Sequence, residues 1–197
     1  MTIKHPIPKK TKLKTIPTTK SNLGMDLEVD IEITNQYYLD TGRAVIYKKP
    51  TPIQVVNVSY PKRSMAKITE AYYKTPSTTD FNGIYKGYYI DFDCKMTKSK
   101  TSIPLSNIHP HQIKHLEDIV DAGGIGFLIV LFSVYDEYYL LPFSVLNRYY
   151  KASLKGGRKS IPYQTFKNEA YLIKVGYHPR VDYLSVLDAF VLPDLKL

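Results

Sequence analysis

The stretch Asp80–Lys95 reads DFNGIYKGYYIDFDCK, and it predicts a β hairpin. Two runs rich in tyrosine, isoleucine and phenylalanine flank Lys86-Gly87, where glycine eases a tight turn. Because side chains alternate along a strand, the second strand has one charged face and one apolar face. The charged face carries Asp91, Asp93 and Lys95, and the apolar face carries Ile90, Phe92 and Cys94.

Helices and strands alternate on both sides of this hairpin. Apolar residues at helical spacing predict helices over Gly24–Tyr38, His109–Ala122, Ser144–Lys151 and Asp182–Phe190. Runs rich in valine, isoleucine and leucine predict strands over Arg43–Lys49, Pro52–Tyr60, Ile125–Ser133 and Glu137–Leu141, of which the first two could be one interrupted strand. The nearly continuous apolar run from Ile125 is typical of a central strand covered on both faces. The sequence therefore predicts an α/β fold with a mixed sheet.

Length and charge limit the classes of protein that this chain can be. With 197 residues it is long enough for one domain with a core. Its net charge of +9 and pI near 9.3 favour polyanions as partners, either nucleic acid or an acidic membrane. The longest apolar run, Ile125–Phe132, is far shorter than the roughly 20 residues that span a bilayer. No apolar signal segment follows the basic N-terminus, so we expect a cytoplasmic protein without a membrane partner.

The first 22 residues are predicted to be a flexible basic tail ahead of a folded domain over residues 23–197. They are rich in lysine, threonine and proline and lack aromatic residues and apolar periodicity. Six lysines precede the first acidic residue, Asp26, whereas the rest of the chain carries 21 basic and 18 acidic residues. Two interpretations stay open: a tail that keeps the protein soluble, and an arm that follows phosphates along a nucleic acid.

The charged face of the hairpin offers groups for phosphodiester hydrolysis. This reaction needs a hard cation, an activated water and positive charge beside the developing negative charge. Magnesium takes oxygen ligands, and Asp80 and Asp93, with Thr78 and Gln112 close by, match this preference. Lys95 shares the face of Asp93, where it could orient the attacking water or stabilise charge on the phosphate. A solvated strand face with cross-strand pairing explains the same residues, and an Asp-x-Lys triplet alone is common enough to favour that alternative.

The residues Asp80 and Asp93-x-Lys95 resemble the motif of the PD-(D/E)xK nuclease superfamily, and flanking blocks narrow the resemblance. The following blocks resemble the RecU family of Holliday junction resolvases: Lys48-Lys49-Pro50-Thr51-Pro52, Tyr60-Pro61-Lys62-Arg63-Ser64, Thr78-Thr79-Asp80-Phe81-Asn82-Gly83, Tyr89-Ile90-Asp91-Phe92, His111-Gln112 and Gly176-Tyr177-His178-Pro179-Arg180. The resemblance extends from about Gly24 to the C-terminus. It implies a restriction-endonuclease-like core, with a mixed central sheet flanked by helices and a protruding stalk inserted around residues 61–74.

The resemblance also implies an activity, the Mg²⁺-dependent cleavage of two opposed strands of a four-way DNA junction during homologous recombination and DNA repair. Mn²⁺ could substitute for Mg²⁺, a homodimer would supply two cuts on a symmetric junction, and recombinase proteins are further candidate partners. The implied metal ligands are Thr78, Asp80, Asp93 and Gln112, and Lys95 is the implied transition-state stabiliser. In the stalk, Lys62, Arg63 and Lys67 would contact phosphates, which gives affinity without sequence information.

Three departures from the family pattern bear on metal binding or DNA binding. Asp93 stands where the family often has glutamate, and Leu23 and Tyr88 stand where arginine is familiar. A shorter reach to the metal and two lost positive charges favour an alternative, a junction-binding recombination modulator with weakened or lost nuclease activity. A restriction-type nuclease of the same superfamily is a further alternative, and it would cleave linear duplex in preference to a junction.

Overall fold

The structure, a computed structural model, describes residues 23–74 and 78–193, so the predicted basic tail of residues 1–22 lies outside the described residues. The helices are α1 (Leu23–Asp40), α2 (Pro110–Asp121), α3 (Phe143–Leu154), α4 (Tyr163–Glu169) and α5 (Tyr183–Val186), which continues as a π-helical segment, Leu187–Val191. The strands are β1 (Val45–Lys48), β2 (Ile53–Ser59), β3 (Lys67–Tyr73), β4 (Phe81–Tyr85), β5 (Tyr88–Thr97), β6 (Ser102–Pro104), β7 (Ile125–Phe132), β8 (Glu137–Pro142), β9 (Ser160–Pro162) and β10 (Tyr171–Ile173). None of the described helices is both long and apolar enough to cross a membrane.

Six strands form a central sheet in the order β1-β4-β5-β7-β8-β10. Strands β5 and β7 are parallel, and the other neighbours are antiparallel. Helix α2 connects the parallel pair, because parallel neighbours need a crossover connection rather than a tight turn. The structure confirms the predicted α/β fold with a mixed central sheet flanked by helices.

Strand β7 lies inside this sheet and is buried along its whole length. Phe127 and Ile129 pack into one apolar core with residues of α1 and α5, whereas Leu128 and Val130 pack into a second core with residues of α2 and α3. In the first core the rings of Phe92 and Phe127 stack with centroids 4.7 Å apart. The two cores cover both faces of β7, which explains why its sequence is apolar without alternation.

Strands β2 and β3 form a separate hairpin, and every described side chain in these two strands is exposed. The sequence predicted a protruding insertion only around residues 61–74, whereas the exposed hairpin begins at Ile53. A run rich in valine and isoleucine indicates extended backbone, but it does not distinguish a strand of the central sheet from one that leaves it. Lys62 and Lys67 are exposed in this hairpin. The side chain of Arg63 lies outside the described part of the chain.

Several short elements were not predicted. Strands β6 and β9 pair with each other, and β10 pairs with the sheet edge at β8. Each of these strands has three residues, and α4 has seven, which is too short for an apolar period to be recognised. The third helix, Phe143–Leu154, is longer than the predicted Ser144–Lys151. Helix α1 ends at Asp40, and Gly42 follows it with a φ of +65°, a conformation typical of the residue that terminates a helix.

Candidate active site

The predicted hairpin is present as β4 and β5, which pair antiparallel with Phe81 opposite Phe92 and Asn82 opposite Asp91. Its turn is formed by Lys86 and Gly87, at φ angles of 50° and 85°. Two successive positive φ angles are typical of the two-residue turn whose twist matches that of paired strands. The turn therefore fixes the register of β5 and, with it, the face on which the charged residues lie.

The two carboxylates on this face of β5 are buried. Asp91 and Asp93 are 0% exposed, and the side chain of Lys95 is 17% exposed. The alternative of a solvated strand face is therefore wrong for these residues. A buried charge is costly unless it is paired and hydrogen-bonded, so the partners of each carboxylate determine what the site can do.

Asp80, Asp93 and Lys95 meet at the middle of β5. The Nζ atom of Lys95 lies 2.7 Å from Oδ2 of Asp93, in ion-pair contact. The backbone N–H of Cys94 donates to Oδ1 of Asp93 at 3.0 Å and to Oδ2 of Asp80 at 3.4 Å. One backbone donor thus joins the two carboxyl groups, and the structure brings together the three residues that the sequence proposed as catalytic.

Burial, together with the hydrogen bond and negative charge of Asp80, raises the pKa of Asp93 to about 8 against the opposing effect of Lys95. Two carboxyl groups this close hold a proton that a single exposed carboxylate would lose. Oδ2 of Asp93 is buried and accepts no hydrogen bond, although it lies in ion-pair contact with Lys95. A pair of adjoining carboxylates with such an oxygen fits a hard divalent cation, which would replace the proton.

Thr78 and Gln112, the other two proposed metal ligands, are less directly placed. Thr78 is half-buried two residues before Asp80, and its Oγ1 donates to the carbonyl of Thr79 at 3.4 Å. Gln112 is buried in the first turn of α2, where its Oε1 accepts the backbone N–H of His109 at 3.1 Å. Among the described residues neither forms a hydrogen bond to Asp80, Asp93 or Lys95, and no group of three or more His, Cys, Asp or Glu side chains is arranged to hold a metal.

The histidines of α2 have separate structural settings rather than forming one cluster. His109 caps the helix in a reciprocal arrangement with Gln112, and its ring stacks on that of His111 with centroids 5.3 Å apart. Partial burial lowers the pKa of His111, and the charges of His109 and Lys95 lower it further. His115 lies one turn further along and contacts Asp91 instead.

Several polar side chains surround the carboxylate of Asp91, and the sequence did not predict these contacts. Its Oδ2 lies 2.7 Å from Nζ of Lys49, 3.0 Å from Nε2 of His115 and 3.0 Å from the hydroxyl of Tyr89. Its Oδ1 accepts a hydrogen bond from the hydroxyl of Thr79. Strand alternation already placed Asp91 on the face of Asp93, but Lys49 and His115 come from distant segments, and no sequence pattern connected them to it.

Known proteins resemble this chain over most of its length. The family profile described as Recombination protein U matches residues 22–189. A protein of Oceanobacillus iheyensis named Holliday junction resolvase RecU is 56% identical over 168 residues, which cover 85% of this chain and 86% of the relative. A Bacillus cereus protein of the same name is 51% identical over 181 residues, or 92% of this chain and 90% of the relative. The solved structure of Hjc, a Holliday junction resolvase of Archaeoglobus fulgidus, covers 76% of this chain and 95% of its own, but its TM-score of 0.44 and 10% identity make it a distant likeness.

Proposed function

Since this chain belongs to the Recombination protein U family, we propose that it is a Holliday junction resolvase, an endonuclease that cuts four-way DNA junctions in homologous recombination and DNA repair. One observation carries the proposal: Asp80, Asp93 and Lys95 converge in a buried site within the region that the family profile matches. The names of the close relatives favour this function over that of a junction-binding modulator without nuclease activity.

Oxygen atoms of Asp80, Asp93, Thr78 and Gln112 would hold Mg²⁺ in the proposed site, and Mn²⁺ could take its place. When bound, the ion supplies Lewis acidity and positive charge to the phosphate under attack. Asp93 would have to be ionised to hold the metal, because only the ionised carboxylate is a good ligand. Gln112 can contribute although its oxygen caps α2, since an amide oxygen has a second lone pair.

Lys95 is the residue that we propose acts on the phosphate itself. Its Nζ atom lies 2.7 Å from Oδ2 of Asp93, and its side chain is mostly buried. Little conformational entropy is therefore lost when Lys95 is positioned for the reaction. A cation held in a site of low polarity stabilises developing negative charge far more than it would in water. In this role Lys95 stabilises the transition state or orients the attacking water.

The remaining parts of the proposal concern how the protein meets DNA. Lys62 and Lys67 lie exposed on the β2–β3 hairpin and would contact phosphates, together with Arg63. The chain's net charge of +9 favours such contacts. A two-fold homodimer would place two sites on a junction of the same symmetry and give paired cuts. We further propose that the protein acts in the cytoplasm and that recombinase proteins are partners.

The experiment that tests this function compares two substrates made from the same arm sequences, a labelled four-way junction and a linear duplex. Each is incubated with the protein in Mg²⁺, in Mn²⁺ and in excess EDTA. We expect paired nicks on opposed strands of the junction in either metal, none in EDTA, and little cleavage of the duplex. Preferential cleavage of the duplex would favour a restriction-type nuclease, and tight junction binding without cleavage in any divalent metal would favour the modulator.

A further inference from the structure

Asp91 lies on the same face of β5 as Asp93, yet its surroundings differ from those of a metal ligand. We propose that Asp91 is a positioning residue that fixes the metal-binding segments of the chain through Thr79, Lys49 and His115. This inference rests on the proposed function, because it concerns the same metal site. It assigns a role to four residues outside the expected set of ligands.

The donors around Asp91 explain why it positions other groups rather than binding metal. A carboxylate has about four lone-pair positions. In Asp91 they face Lys49, His115 and Tyr89 at Oδ2 and Thr79 at Oδ1. Three protein groups therefore surround Oδ2 of Asp91 and Thr79 donates to its Oδ1, whereas Oδ2 of Asp93 accepts no hydrogen bond and lies in ion-pair contact with Lys95.

The first connection runs from Asp91 to the segment that carries Thr78 and Asp80. Thr79 lies between these two proposed ligands, is 3% exposed, and donates its hydroxyl hydrogen bond to Asp91. Lys49 strengthens the connection twice: its Nζ lies 3.0 Å from Oγ1 of Thr79, and its backbone N–H donates to the carbonyl of Asp80 at 2.7 Å. Residues 79 and 80 are thereby held against β5 and the end of β1, where the proposed ligands are needed.

The second connection runs from Asp91 to helix α2, which carries Gln112. His115 follows Gln112 by three residues, so both side chains lie on the same face of the helix. The Nε2 atom of His115 lies 3.0 Å from Asp91 and 3.3 Å from Nζ of Lys49. Asp91 thus contacts side chains from every segment that bears a proposed ligand: its own strand, the segment with Thr79, and α2. Groups that orient metal ligands typically change metal affinity or activity about 10- to 100-fold when they are lost.

Metal binding by the protein without DNA tests this role, with Mn²⁺ as the probe and the free ion measured by electron paramagnetic resonance. Thr79→Val keeps the shape of the side chain and removes its hydrogen bond, whereas Thr79→Ser keeps the hydroxyl. The matched control is Thr165→Val, since Thr165 of α4 is also buried and shares a hydrogen bond of 2.6 Å with Tyr149 of α3, outside the proposed site. His115→Leu is a second test variant, and because His115 is partly exposed its loss leaves the core intact.

We expect Thr79→Val and His115→Leu to raise the Mn²⁺ dissociation constant about 10-fold or more. Thr79→Ser should restore binding close to that of the wild type, and Thr165→Val should bind as the wild type does while losing a similar amount of stability. Unchanged Mn²⁺ binding in both test variants would overturn the inference and leave the proposed function standing. Absence of Mn²⁺ binding in the wild-type protein would instead overturn the metal site itself, and the inference with it.

Discussion

The protonation of Asp93 makes the stability of the metal-free protein depend on pH in a way that a single substitution removes. In the unfolded chain an aspartate ionises near pH 4. In the folded protein burial and Asp80 hold the pKa of Asp93 at about 8. Between these values the folded state keeps a proton that the unfolded state has released, so stability falls as pH rises through this window. Asp93→Asn has no such proton and lacks this dependence.

The expected magnitude follows from that difference. One bound proton changes the free energy of unfolding by about 1.4 kcal/mol per pH unit, so wild type should lose about 4 kcal/mol relative to Asp93→Asn between pH 5 and pH 8. Below pH 8 Asp93 is mostly neutral, so the variant loses no ion pair with Lys95 there, and the other costs of the substitution are nearly the same at every pH in the window. The way in which the stability difference between wild type and Asp93→Asn changes with pH therefore reports on the protonation of Asp93. The size of this difference at any single pH does not.

Urea unfolding at pH 5, 6, 7 and 8 in EDTA measures this difference. Asp182→Asn is a suitable control, because bonds from Ser185 and Tyr38 and the charge of Arg43 lower the pKa of Asp182 against the effect of burial. The contribution of Asp182 to stability is lost only as pH falls below the assay range. The stability difference between Asp182→Asn and wild type should therefore stay constant from pH 5 to pH 8. A flat or rising difference for Asp93→Asn would refute the reasoning that a buried, proton-holding carboxyl occupies the site.

Three further predictions concern the metal, the fold and the DNA contacts. Mg²⁺ binding at pH 7 should release close to one proton in wild type and markedly fewer in Asp93→Asn. Calorimetry in two buffers of different ionisation enthalpy measures this release, and equal release would contradict the assignment of Asp93 as the metal ligand that holds the proton. Gly83→Ala should destabilise the protein by about 3 kcal/mol or more in urea unfolding, because a Cβ there would lie 2.1 Å from the carbonyl oxygen of Val45. A loss of stability under about 1 kcal/mol would show that the β1–β4 contact is looser than described. Lys62→Ala and Lys67→Ala should each reduce the slope of log affinity for a four-way junction against log salt by about 1, as measured by fluorescence anisotropy, and an unchanged slope would remove them from the DNA interface.

Local sequence patterns predicted the parts of the fold that local geometry determines. The hairpin of β4 and β5 follows from two alternating strands around Lys86-Gly87, and the turn has the two positive φ angles that such a pair favours. The continuous apolar run of β7 predicted a strand covered on both faces, which the two cores confirm. Short strands such as Ser160–Pro162 carry too few residues for either pattern.

The candidate site was harder to predict because its partners come from separate parts of the chain. Alternation placed Asp91 and Asp93 on one face but could not show that helix α2 buries that face, so a solvated surface explained the same residues. Lys49 reaches Asp91 from the residue after β1 and His115 reaches it from α2, and only the order of strands brings these segments together. Gln112 illustrates a further difficulty, since its oxygen caps a helix and only the structure reveals this second role.

The most direct test of the account measures binding and cleavage of the same labelled four-way junction by Lys95→Ala. The control is Lys114→Ala, because Lys114 is 67% exposed on α2 and, within the described part of the chain, forms its ion pair with Asp118 alone. If Lys95 stabilises the transition state, the variant should bind the junction nearly as wild type does and cut it about 100- to 1,000-fold more slowly in Mg²⁺, whereas Lys114→Ala should cut at the wild-type rate. Cleavage by Lys95→Ala at the wild-type rate would contradict the central claim that the buried group of Asp80, Asp93 and Lys95 is the nuclease site.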